Sequence, residues 1–525
     1  MTVKAEPRQL ITDLTRHWAL VHPDKPAVIE VGEHGTVRQL TYAQLAEQAD
    51  AWAAWLVNAG VKPGEPVAYQ LPNVRQFVAL SLGTMQTGAV CEPLMPIFRE
   101  RELEFMLAAS QARVLVVPER FRGHDHGASA RGIQGRLHSL RSVLSIGLED
   151  PLLAAVRPPA TVAVTPDMTV QLLFTSGSTG EPKGVLHNHV SLNTAAQIHI
   201  RHFGLTVDDV IYVPSPLAHQ TGFLYGMWIA VTLGATEVIQ TSWDADIAFD
   251  AVNAHGVTFV QAATPFLADL VRVARQRGRR ADPLRIFVAT GAAVPRELAR
   301  DASELLGAEV GGAFGTTESC LGAAFVPGAG DPRAWLTDGR VLEGIKLRVT
   351  DDDSNVLEAN REGNFEVLTP TLFEGYLDRP ELTAAAMTAD GYYRTGDLAR
   401  IDADGYVKIT GRVKDVINRG GEKVPVVEVE QVLYAHPAIR EVAIVAMPDA
   451  RLGERACAFV VLEPGASLDL AALQQHLDFN RVAKPYWPER LQLVSALPHT
   501  PSGKIQKFLL RERISDLMER EASPQ

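Results

Sequence analysis

The stretch Thr175-Ser176-Gly177-Ser178-Thr179-Gly180-Glu181-Pro182-Lys183-Gly184 decides how this chain is interpreted. It follows Val170-Gln171-Leu172-Leu173-Phe174, a short apolar run with the length and flanks of a buried strand. Its glycines let the backbone turn sharply, and its hydroxyl and N–H groups can then bind an anion, to which Lys183 adds a positive charge. The spacing does not match a Walker A loop. We therefore expect a polyphosphate-binding loop after a buried strand, with a flexible Gly/Ser linker as the alternative.

Further motifs accompany this loop in a fixed order along the chain. They are Phe314-Gly315-Thr316-Thr317-Glu318, Tyr393-Arg394-Thr395-Gly396-Asp397-Leu398, Gly411-Arg412-Val413-Lys414-Asp415 with Arg419-Gly420-Gly421-Glu422-Lys423, and Pro498-His499-Thr500-Pro501-Ser502-Gly503-Lys504-Ile505. Together with the loop they resemble the core motifs of the adenylate-forming superfamily, which includes acyl- and aryl-CoA ligases, adenylation domains and firefly-type luciferases. Residues 92–103 look most like bacterial ligases of alicyclic acids, such as cyclohexanecarboxylate, and of medium-chain acids. The resemblance covers most of the chain.

The resemblance implies an α/β fold with a large N-terminal domain of layered sheets and helices and a small mobile α+β C-terminal domain. We expect an N-terminal ATP- and acyl-binding domain at 1–411, a hinge at 412–415 and a mobile domain at 416–525. The chain itself supports at least two domains, because 525 residues exceed what a single core usually holds. After residue 415, the patterns predict helices at 426–434 and 468–477 and strands that include 442–445 and 458–461.

Local patterns predict individual elements of the larger domain. Thr41 and Gln44 have the spacing of a capping box, which predicts a helix from residue 42 that ends near Gly60, followed by a strand at 66–70. Trp52 and Trp55 on this helix are expected to pack rather than to bind a ligand.

Residues 120–136 are rich in arginine, glycine and histidine. His124 and His126 suggest a metal site, but Asp125 is the only carboxylate of the stretch, and no cysteine is near. We expect a solvated surface loop; a contact with an anionic cofactor stays open.

Composition excludes several classes of protein. A net charge of −12 argues against a broad nucleic-acid or anionic-membrane surface, and three scattered cysteines fit neither a disulfide framework nor a zinc site. The first residues lack the apolar core of a signal peptide, and no apolar run is long enough to span a bilayer. We expect a soluble, cytoplasmic protein, with a homodimer as one option for its quaternary structure.

The resemblance assigns ATP, with Mg²⁺, to residues from several motifs. The expected nucleotide-binding set is Thr175, Ser176, Gly177, Ser178, Thr179, Gly180, Lys183, Gly291, Ala292, Ala293, Phe314, Gly315, Thr316, Thr317, Asp397, Arg412 and Lys504. Glu318 would hold Mg²⁺, Thr317 would touch the α-phosphate, and Asp397 would accept both ribose hydroxyls. From the residues alone, an exposed surface carboxylate is the alternative for Glu318, and an Asx-turn residue is the alternative for Asp397.

The resemblance also assigns residues that contact the acid and coenzyme A, and a rotation at the hinge. Lys504 would bridge the α-phosphate and the substrate carboxylate, although Lys507 is an alternative lysine nearby. Rotation at Lys414 would then replace Lys504 by Gly420 and Gly421, which permit passage of the pantetheine arm of coenzyme A.

The acyl pocket is predicted around residues 216–223, with His219 as a catalytic gate; a hydrogen-bonded turn histidine is the alternative. No lysine or arginine stands in this segment, which favours an apolar acid. We therefore expect ATP-dependent activation of an alicyclic, aromatic or medium-chain fatty acid and its transfer to CoA. The alternative acceptor is the phosphopantetheine arm of a carrier protein. A luciferase-like oxidase and a non-catalytic nucleotide sensor are the other classes considered.

Overall fold

The computed structural model describes residues 8–149, 153, 163–175, 182–290, 296–420, 422–449, 451–500 and 505–522. Its helices are α1 (Ile11–Val21), α2 (Tyr42–Asn58), α3 (Arg75–Gln86), α4 (Glu100–Ser110), α5 (His126–Gln134), α6 (His189–Phe203), α7 (Gln220–Gly222), α8 (Ile229–Leu233), α9 (Ala245–Ala254), α10 (Thr264–Arg277), α11 (Arg296–Leu306), α12 (Arg333–Leu336), α13 (Pro380–Ala385), α14 (Val426–Tyr434), α15 (Leu470–Phe479) and α16 (Lys507–Ala522). A π-helix spans Phe223–Trp228, and 3-10 turns span Glu33–Gly35, Val413–Asp415 and Lys484–Tyr486.

The strands of the described residues are β1 (Pro26–Val31), β2 (Val37–Thr41), β3 (Pro66–Tyr69), β4 (Val90–Pro93), β5 (Val114–Pro118), β6 (Arg120–Phe121), β7 (His124–Asp125), β8 (Ser142–Ile146), β9 (Thr169–Thr175), β10 (Lys183–Asn188), β11 (Val210–Val213), β12 (Thr236–Gln240), β13 (Phe259–Ala263), β14 (Ile286–Thr290), β15 (Glu309–Thr316), β16 (Cys320–Ala324), β17 (Arg340–Val341), β18 (Lys346–Thr350), β19 (Gly363–Leu368), β20 (Gly375–Tyr376), β21 (Tyr393–Ile401), β22 (Val407–Arg412), β23 (Ile417–Arg419), β24 (Glu422–Val424), β25 (Ile439–Asp449), β26 (Gly453–Leu462) and β27 (Arg490–Leu493).

Two large sheets build the N-terminal part. One has nine strands in the order β17-β16-β15-β14-β13-β11-β12-β1-β2, and the other has seven in the order β20-β10-β9-β4-β3-β5-β8. Their inner strands run parallel, and strands such as β5 and β13 are buried along their whole length. Continuous apolar runs are typical of parallel strands that helices cover on both faces. The predicted buried strand at 170–174 is confirmed as part of β9, and the predicted strand at 66–70 as β3.

Helices α2 and α3 cross closely within the core. A Cβ on Gly83 of α3 would lie 2.6 Å from the Cβ of Trp52 and 2.7 Å from the carbonyl oxygen of Ala49, so glycine permits this approach. Thr41 and Gln44 form the predicted capping box, with both reciprocal hydrogen bonds present. The ring of Trp52 packs edge-on against that of Trp55, which confirms a packing role for this pair.

The predicted surface loop at residues 120–136 is wrong. These residues form the β6–β7 hairpin and helix α5, whose first turn Asp125 caps by accepting the Ala128 N–H at 2.8 Å. His126 is only 2% exposed and lies 2.9 Å from the side-chain oxygen of Gln70 through its Nδ1. Ala130 and Ile133 are buried and give α5 a short apolar face that packs into the interior. The many arginines of the segment obscure this face in the sequence.

The C-terminal part has a core of its own. A four-stranded antiparallel sheet, β18-β19-β21-β22, shares the core of the N-terminal part and leads to the C-terminal part. There a five-stranded sheet is built from β23 to β27, and α14 and α16 pack against it. The predicted helices are α14 and α15, and the predicted strands lie within β25 and β26. The predicted hinge falls on the last residue of β22 and the 3-10 turn Val413–Asp415; its exact limits stay a prediction. Among the described residues, no helix combines the length and apolarity needed to cross a bilayer.

Candidate functional site

The polyphosphate loop is predicted between two paired strands. β9 and β10 are antiparallel, with Thr175 opposite Lys183. A Cβ on Gly184 would lie 2.7 Å from the Leu172 side chain and 3.1 Å from that of Leu377, so the backbone needs glycine where it leaves the loop. The predicted loop residues Ser176, Gly177, Ser178, Thr179 and Gly180 lie outside the described residues.

Tyr376 joins the lysine of this loop to the predicted metal ligand. Its strand β20 pairs with β10, and its ring centroid lies 5.2 Å from Nζ of Lys183, a cation–π contact. Its hydroxyl donates a hydrogen bond of 2.9 Å to Oε1 of Glu318. Burial, followed by the charge of Glu318, raises the pKa of Tyr376, so the phenol keeps the proton that it donates. Tyr376 therefore contacts a cation, Lys183, through its ring and a carboxylate, Glu318, through its hydroxyl.

Glu318 and Thr317 lie in a tight turn between β15 and β16 that is anchored from both sides. The ring of His187 in β10 lies 2.8 Å from the Thr317 carbonyl oxygen through Nε2, and the Phe373 N–H donates to the Glu318 carbonyl oxygen at 2.8 Å. Burial lowers the pKa of His187 to about 4, so its neutral ring donates from Nε2. The turn is thus fixed where the edges of the two large sheets meet.

Asp397 and Arg412 form an ion pair between two neighbouring strands of the four-stranded sheet. They face each other in the register of β21 and β22, and Nε of Arg412 lies 2.9 Å from Oδ1 of Asp397. The Asp397 side chain is nearly buried, while that of Arg412 is 47% exposed. The Asp397 N–H donates to Oγ1 of Thr395 at 3.0 Å, so the threonine side chain stabilises the turn. The carboxylate of Asp397 faces the arginine.

Tyr393 lies within electrostatic reach of both Glu318 and Asp397. Burial raises its pKa well above the ordinary value, and Glu318, Tyr376 and Asp397 act on its pKa in the same direction. Its ring packs on that of Phe373 at 5.8 Å. The predicted metal ligand and the predicted ribose ligand therefore share one aromatic neighbour.

Phe314 is held at the edge where neighbouring parallel strands end. Thr290, the last residue of β14, pairs with Ala313 of β15, and the Phe314 ring packs edge-on against Phe365 at 5.0 Å. Gly291, Ala292 and Ala293 lie outside the described residues.

His219 is the N-cap residue of the short helix α7, with Nδ1 accepting the Thr221 N–H at 3.2 Å. This contact is the turn hydrogen bond that the alternative to a gate requires, and the gate role stays a prediction. The helix leads directly into the π-helix Phe223–Trp228, a form that is rare and often found at functional sites.

Gly420 lies between β23 and β24 with a φ of +60°, a conformation that favours glycine, and its N–H donates to the Leu452 carbonyl oxygen. Gly421 and Lys504 lie outside the described residues. The alternative lysine, Lys507, is bound to Glu430 at 2.7 Å.

Sequence reasoning missed Tyr376 and His187 as site residues. Tyr376 stands far along the chain from Glu318, and only the strand pairing of β20 with β10 brings it to the loop. The one signal in the sequence was the position of His187 in the strand that follows the loop.

Comparisons with known proteins agree with this arrangement. The model of the AMP-binding enzyme family matches residues 15–377, and that of the AMP-binding enzyme C-terminal domain matches residues 428–504. Medium-chain fatty-acid–CoA ligase of Escherichia coli is 36% identical over 517 residues, which cover 96% of this chain and 90% of the relative. Salicyl-AMP ligase / salicyl-S-ArCP synthetase of Mycobacterium tuberculosis is 34% identical, covering 95% of this chain and 89% of the relative.

Solved structures extend the likeness to the fold. ATP-bound MatB from Rhodopseudomonas palustris superposes with a TM-score of 0.86 at 27% identity, covering 96% of this chain and 99% of that chain. Both sheets, the motif turns and the C-terminal domain thus occur together in a chain matched over nearly its whole length. This protein belongs to the AMP-binding enzyme family.

Proposed function

We propose that this protein is an AMP-forming acid–CoA ligase for an apolar carboxylic acid of alicyclic, aromatic or medium-chain fatty type. The acid and ATP give acyl-AMP and pyrophosphate, and coenzyme A then takes the acyl group and releases AMP. The observation that carries this proposal is the network in which Lys183, Tyr376 and Glu318 meet, with Asp397 and Arg412 beyond Tyr393. It brings cations and carboxylates from several of the motifs into one region of the fold.

The first step needs charge neutralisation more than covalent chemistry. A carboxylate oxygen of the acid attacks the α-phosphorus of ATP, and the bond to the bridging oxygen breaks as pyrophosphate leaves. Negative charge builds on phosphate oxygens in the transition state. Lys183 and the loop would bind the β- and γ-phosphates, Thr317 would hold the α-phosphate, and Lys504 would bridge it to the acid.

Mg²⁺ fits Glu318. Magnesium in nucleotide sites usually takes one or two carboxylates together with phosphate oxygens and waters. The described residues contain no group of three His, Cys, Asp or Glu side chains that would form a complete protein cage. Tyr376 engages Oε1 of Glu318, which leaves the second oxygen for the metal. The ion would supply charge neutralisation at the phosphates.

The ribose would be held by the pair on the four-stranded sheet. Two sugar hydroxyls suit a carboxylate, which accepts at both oxygens, and the ion pair with Arg412 orients Asp397. Phe314 would offer its ring to the adenine.

The second step requires a thiol to reach the acyl carbon. The sulfur attacks the carbonyl carbon of acyl-AMP, its proton is lost, and AMP leaves. A cleft of about 790 Å³ lies between the four-stranded sheet and the C-terminal domain, lined by residues on both sides of the hinge such as Leu398, Val413 and Val416. The cleft gives the C-terminal domain room to rotate about residues 412–415. Such a rotation would move Lys504 out of the site and bring Gly420 and Gly421 into it.

A screen of carboxylic acids for pyrophosphate release tests the proposal, with coenzyme A and with a holo carrier protein as acceptors. The carrier protein is the second candidate because the Mycobacterium tuberculosis relative is named a salicyl-S-ArCP synthetase. Turnover with free coenzyme A supports the ligase, whereas turnover with the carrier alone supports the alternative. An amino acid as the best substrate would contradict both.

We also propose a cytoplasmic location and a homodimeric state. Cell fractionation and light scattering of the purified protein test them.

A further inference from the structure

The turn at Gly420 joins two short strands of the C-terminal domain, β23 and β24. The base of this hairpin is anchored in the apolar core by Ile417 and Val424, which are at most 4% exposed. Gly420 at the tip is exposed and has no side chain to pack. The position of the tip therefore depends on the hydrogen bonds and ion pairs around it.

The first support of the turn is the neighbouring hairpin between β25 and β26. The Gly420 N–H donates to the Leu452 carbonyl oxygen at 2.8 Å, and Arg419 pairs with Gly453 in the register of β23 and β26. Oδ1 of Asp449 accepts the Leu452 N–H at 2.8 Å. Asp449 therefore fixes Leu452, the residue to which Gly420 is bound.

The second support is a set of ion pairs that begins beside the turn. Nη2 of Arg419 donates to Oε1 of Glu489 at 2.8 Å. Nε of Arg455 lies 3.8 Å from the same oxygen and 2.7 Å from Oδ2 of Asp449. These four side chains, Arg419, Asp449, Arg455 and Glu489, are called the turn network below. Each of them is at most 33% exposed.

The turn network links both supports into one unit. A single exposed ion pair contributes little to stability, but here two carboxylates and two guanidinium groups, all partly buried, alternate and connect to backbone hydrogen bonds. Its members lie on or beside β23, β25, β26 and β27, all in one sheet. The network therefore holds the turn in the same shape before and after a rotation of the C-terminal domain.

The shape of this turn matters for the proposed second step. The pantetheine arm of coenzyme A would pass along the backbone at Gly420 to reach the acyl carbon. A displacement of about 1 Å of a positioning group can lower a rate by about 100-fold. A turn that is fixed in advance also loses less conformational freedom when the thiol substrate binds.

We infer that Glu489 is a positioning residue for transfer of the acyl group to the thiol: with Arg419 and Arg455 it holds the turn at Gly420 in the shape that admits the pantetheine arm. This inference rests on the proposed function. Glu489 would act through the turn and would touch neither ATP nor the acid. Its loss should therefore affect the second half-reaction and spare the first.

Glu489→Gln tests the inference, because it keeps the size of the side chain and removes the charge that pairs with both arginines. Pyrophosphate exchange with an acid that is active in the screen should stay within about twofold of wild type. Transfer from supplied acyl-AMP should lose roughly tenfold or more in kcat/KM for coenzyme A, mainly through a raised KM. Glu489→Asp, which keeps the charge, should restore part of this loss.

Glu521→Gln is the matched control. Glu521 forms a bidentate ion pair with Arg490, the residue next to Glu489, with distances of 2.9 and 2.6 Å. That pair joins β27 to α16 instead of to the turn. The control should leave both half-reactions unchanged, and so separates a role in the turn from a general effect on β27.

Amide hydrogen exchange at Gly420 provides a readout that does not depend on activity. Its N–H donates to Leu452, so a loosened turn should exchange faster. The exchange rate should rise roughly tenfold in Glu489→Gln and in Asp449→Asn, and stay at the wild-type value in Glu521→Gln.

Three results overturn the inference: an unchanged Gly420 exchange rate in Glu489→Gln, unchanged transfer to coenzyme A, or an equal loss of both half-reactions. Absence of pyrophosphate release with any acid would instead contradict the proposed function. The exchange rates would then still decide whether Glu489 fixes the turn.

Discussion

The Tyr376 hydroxyl lies 2.9 Å from Oε1 of Glu318, and its ring faces Nζ of Lys183 at 5.2 Å. The three residues come from β20, from the turn after β15 and from β10, so the contact joins the edges of the two large sheets. A carboxylate that is oriented before the nucleotide arrives has less freedom to lose on binding. This preorganisation gives Tyr376 a positioning role in the proposed ATP site.

Tyr376→Phe keeps the ring over Lys183 and removes the hydrogen bond to Glu318. Hydrogen bonds to charged groups contribute about 1.5–3 kcal/mol, so kcat/KM for acid-dependent pyrophosphate release should fall roughly 10- to 150-fold. A raised requirement for Mg²⁺ should accompany the loss. Tyr406→Phe is the control, because that hydroxyl also faces a carboxylate, Asp331 at 3.3 Å, but in a surface cluster. Equal effects of the two substitutions would contradict the role of Tyr376.

Mg²⁺-ATP should protect the protein against heat without any acid. A ligand at about 100 times its Kd adds about 2.7 kcal/mol to the free energy of unfolding. Asp397→Asn removes the charge that would accept the ribose hydroxyls, so its thermal shift should be much smaller. Asp390→Asn also breaks an ion pair, with Arg348, and should keep the wild-type shift. No shift in the wild type at millimolar Mg²⁺-ATP would count against the nucleotide site.

The sequence predicted those parts of the fold that depend on local pattern. An apolar run before Thr175 was enough to place β9, and Thr41 with Gln44 was enough to begin α2. At residues 120–136, many arginines and glycines suggested a loop. Ala130 and Ile133 are the apolar side chains that α5 buries, a pattern too short to outweigh the composition.

The sequence predicted only those residues of the candidate site that belong to its motifs. The pairing of Asp397 with Arg412 follows from two motifs on neighbouring strands. Tyr376 belongs to no motif that we recognised, and its contact with Glu318 depends on strand pairing between distant parts of the chain.

Glu237→Gln should stabilise the protein in a pH-dependent way. Glu237 is 1% exposed on β12, neither of its carboxylate oxygens has a partner among the described residues, and burial raises its pKa to about 8. The folded-state pKa lies above the unfolded value, so stability is full below about pH 4.5 and declines as the pH rises towards 8. The glutamine variant should lack this decline. Urea midpoints at pH 4.5, 6 and 8 measure it.

Glu30→Gln provides the opposite case. Glu30 is as buried, but it accepts hydrogen bonds from both the backbone N–H and the guanidinium of Arg75, so its substitution should destabilise at neutral pH. A loss of stability at pH 8 in Glu237→Gln would show that its carboxylate has a partner.

Lys504→Ala should separate the two half-reactions. Removing the cation that is proposed to bridge the α-phosphate and the acid should lower acid-dependent pyrophosphate exchange by orders of magnitude. Thioester formation from supplied acyl-AMP should survive, because in the proposed mechanism the lysine has left the site by then. Lys507→Ala is the matched control: Lys507 is bound to Glu430, so its loss should lower stability and spare exchange. Selective loss of exchange in Lys507→Ala would move the catalytic role to that residue.

Lys414→Pro should have the reverse effect on the half-reactions. Lys414 is in the 3-10 turn that follows β22, and Asp415 of the same turn is bound to Arg511 of α16 at 2.5 Å. Proline fixes φ at residue 414 and restricts residue 413, which should hinder rotation of the C-terminal domain. Pyrophosphate exchange should therefore persist while transfer to coenzyme A falls. Lys414→Ala, which removes the side chain without restricting the backbone, should affect transfer much less. If Lys504→Ala and Lys414→Pro reduced both half-reactions equally, rotation between two catalytic arrangements would be the wrong mechanism, even for a protein with the proposed overall activity.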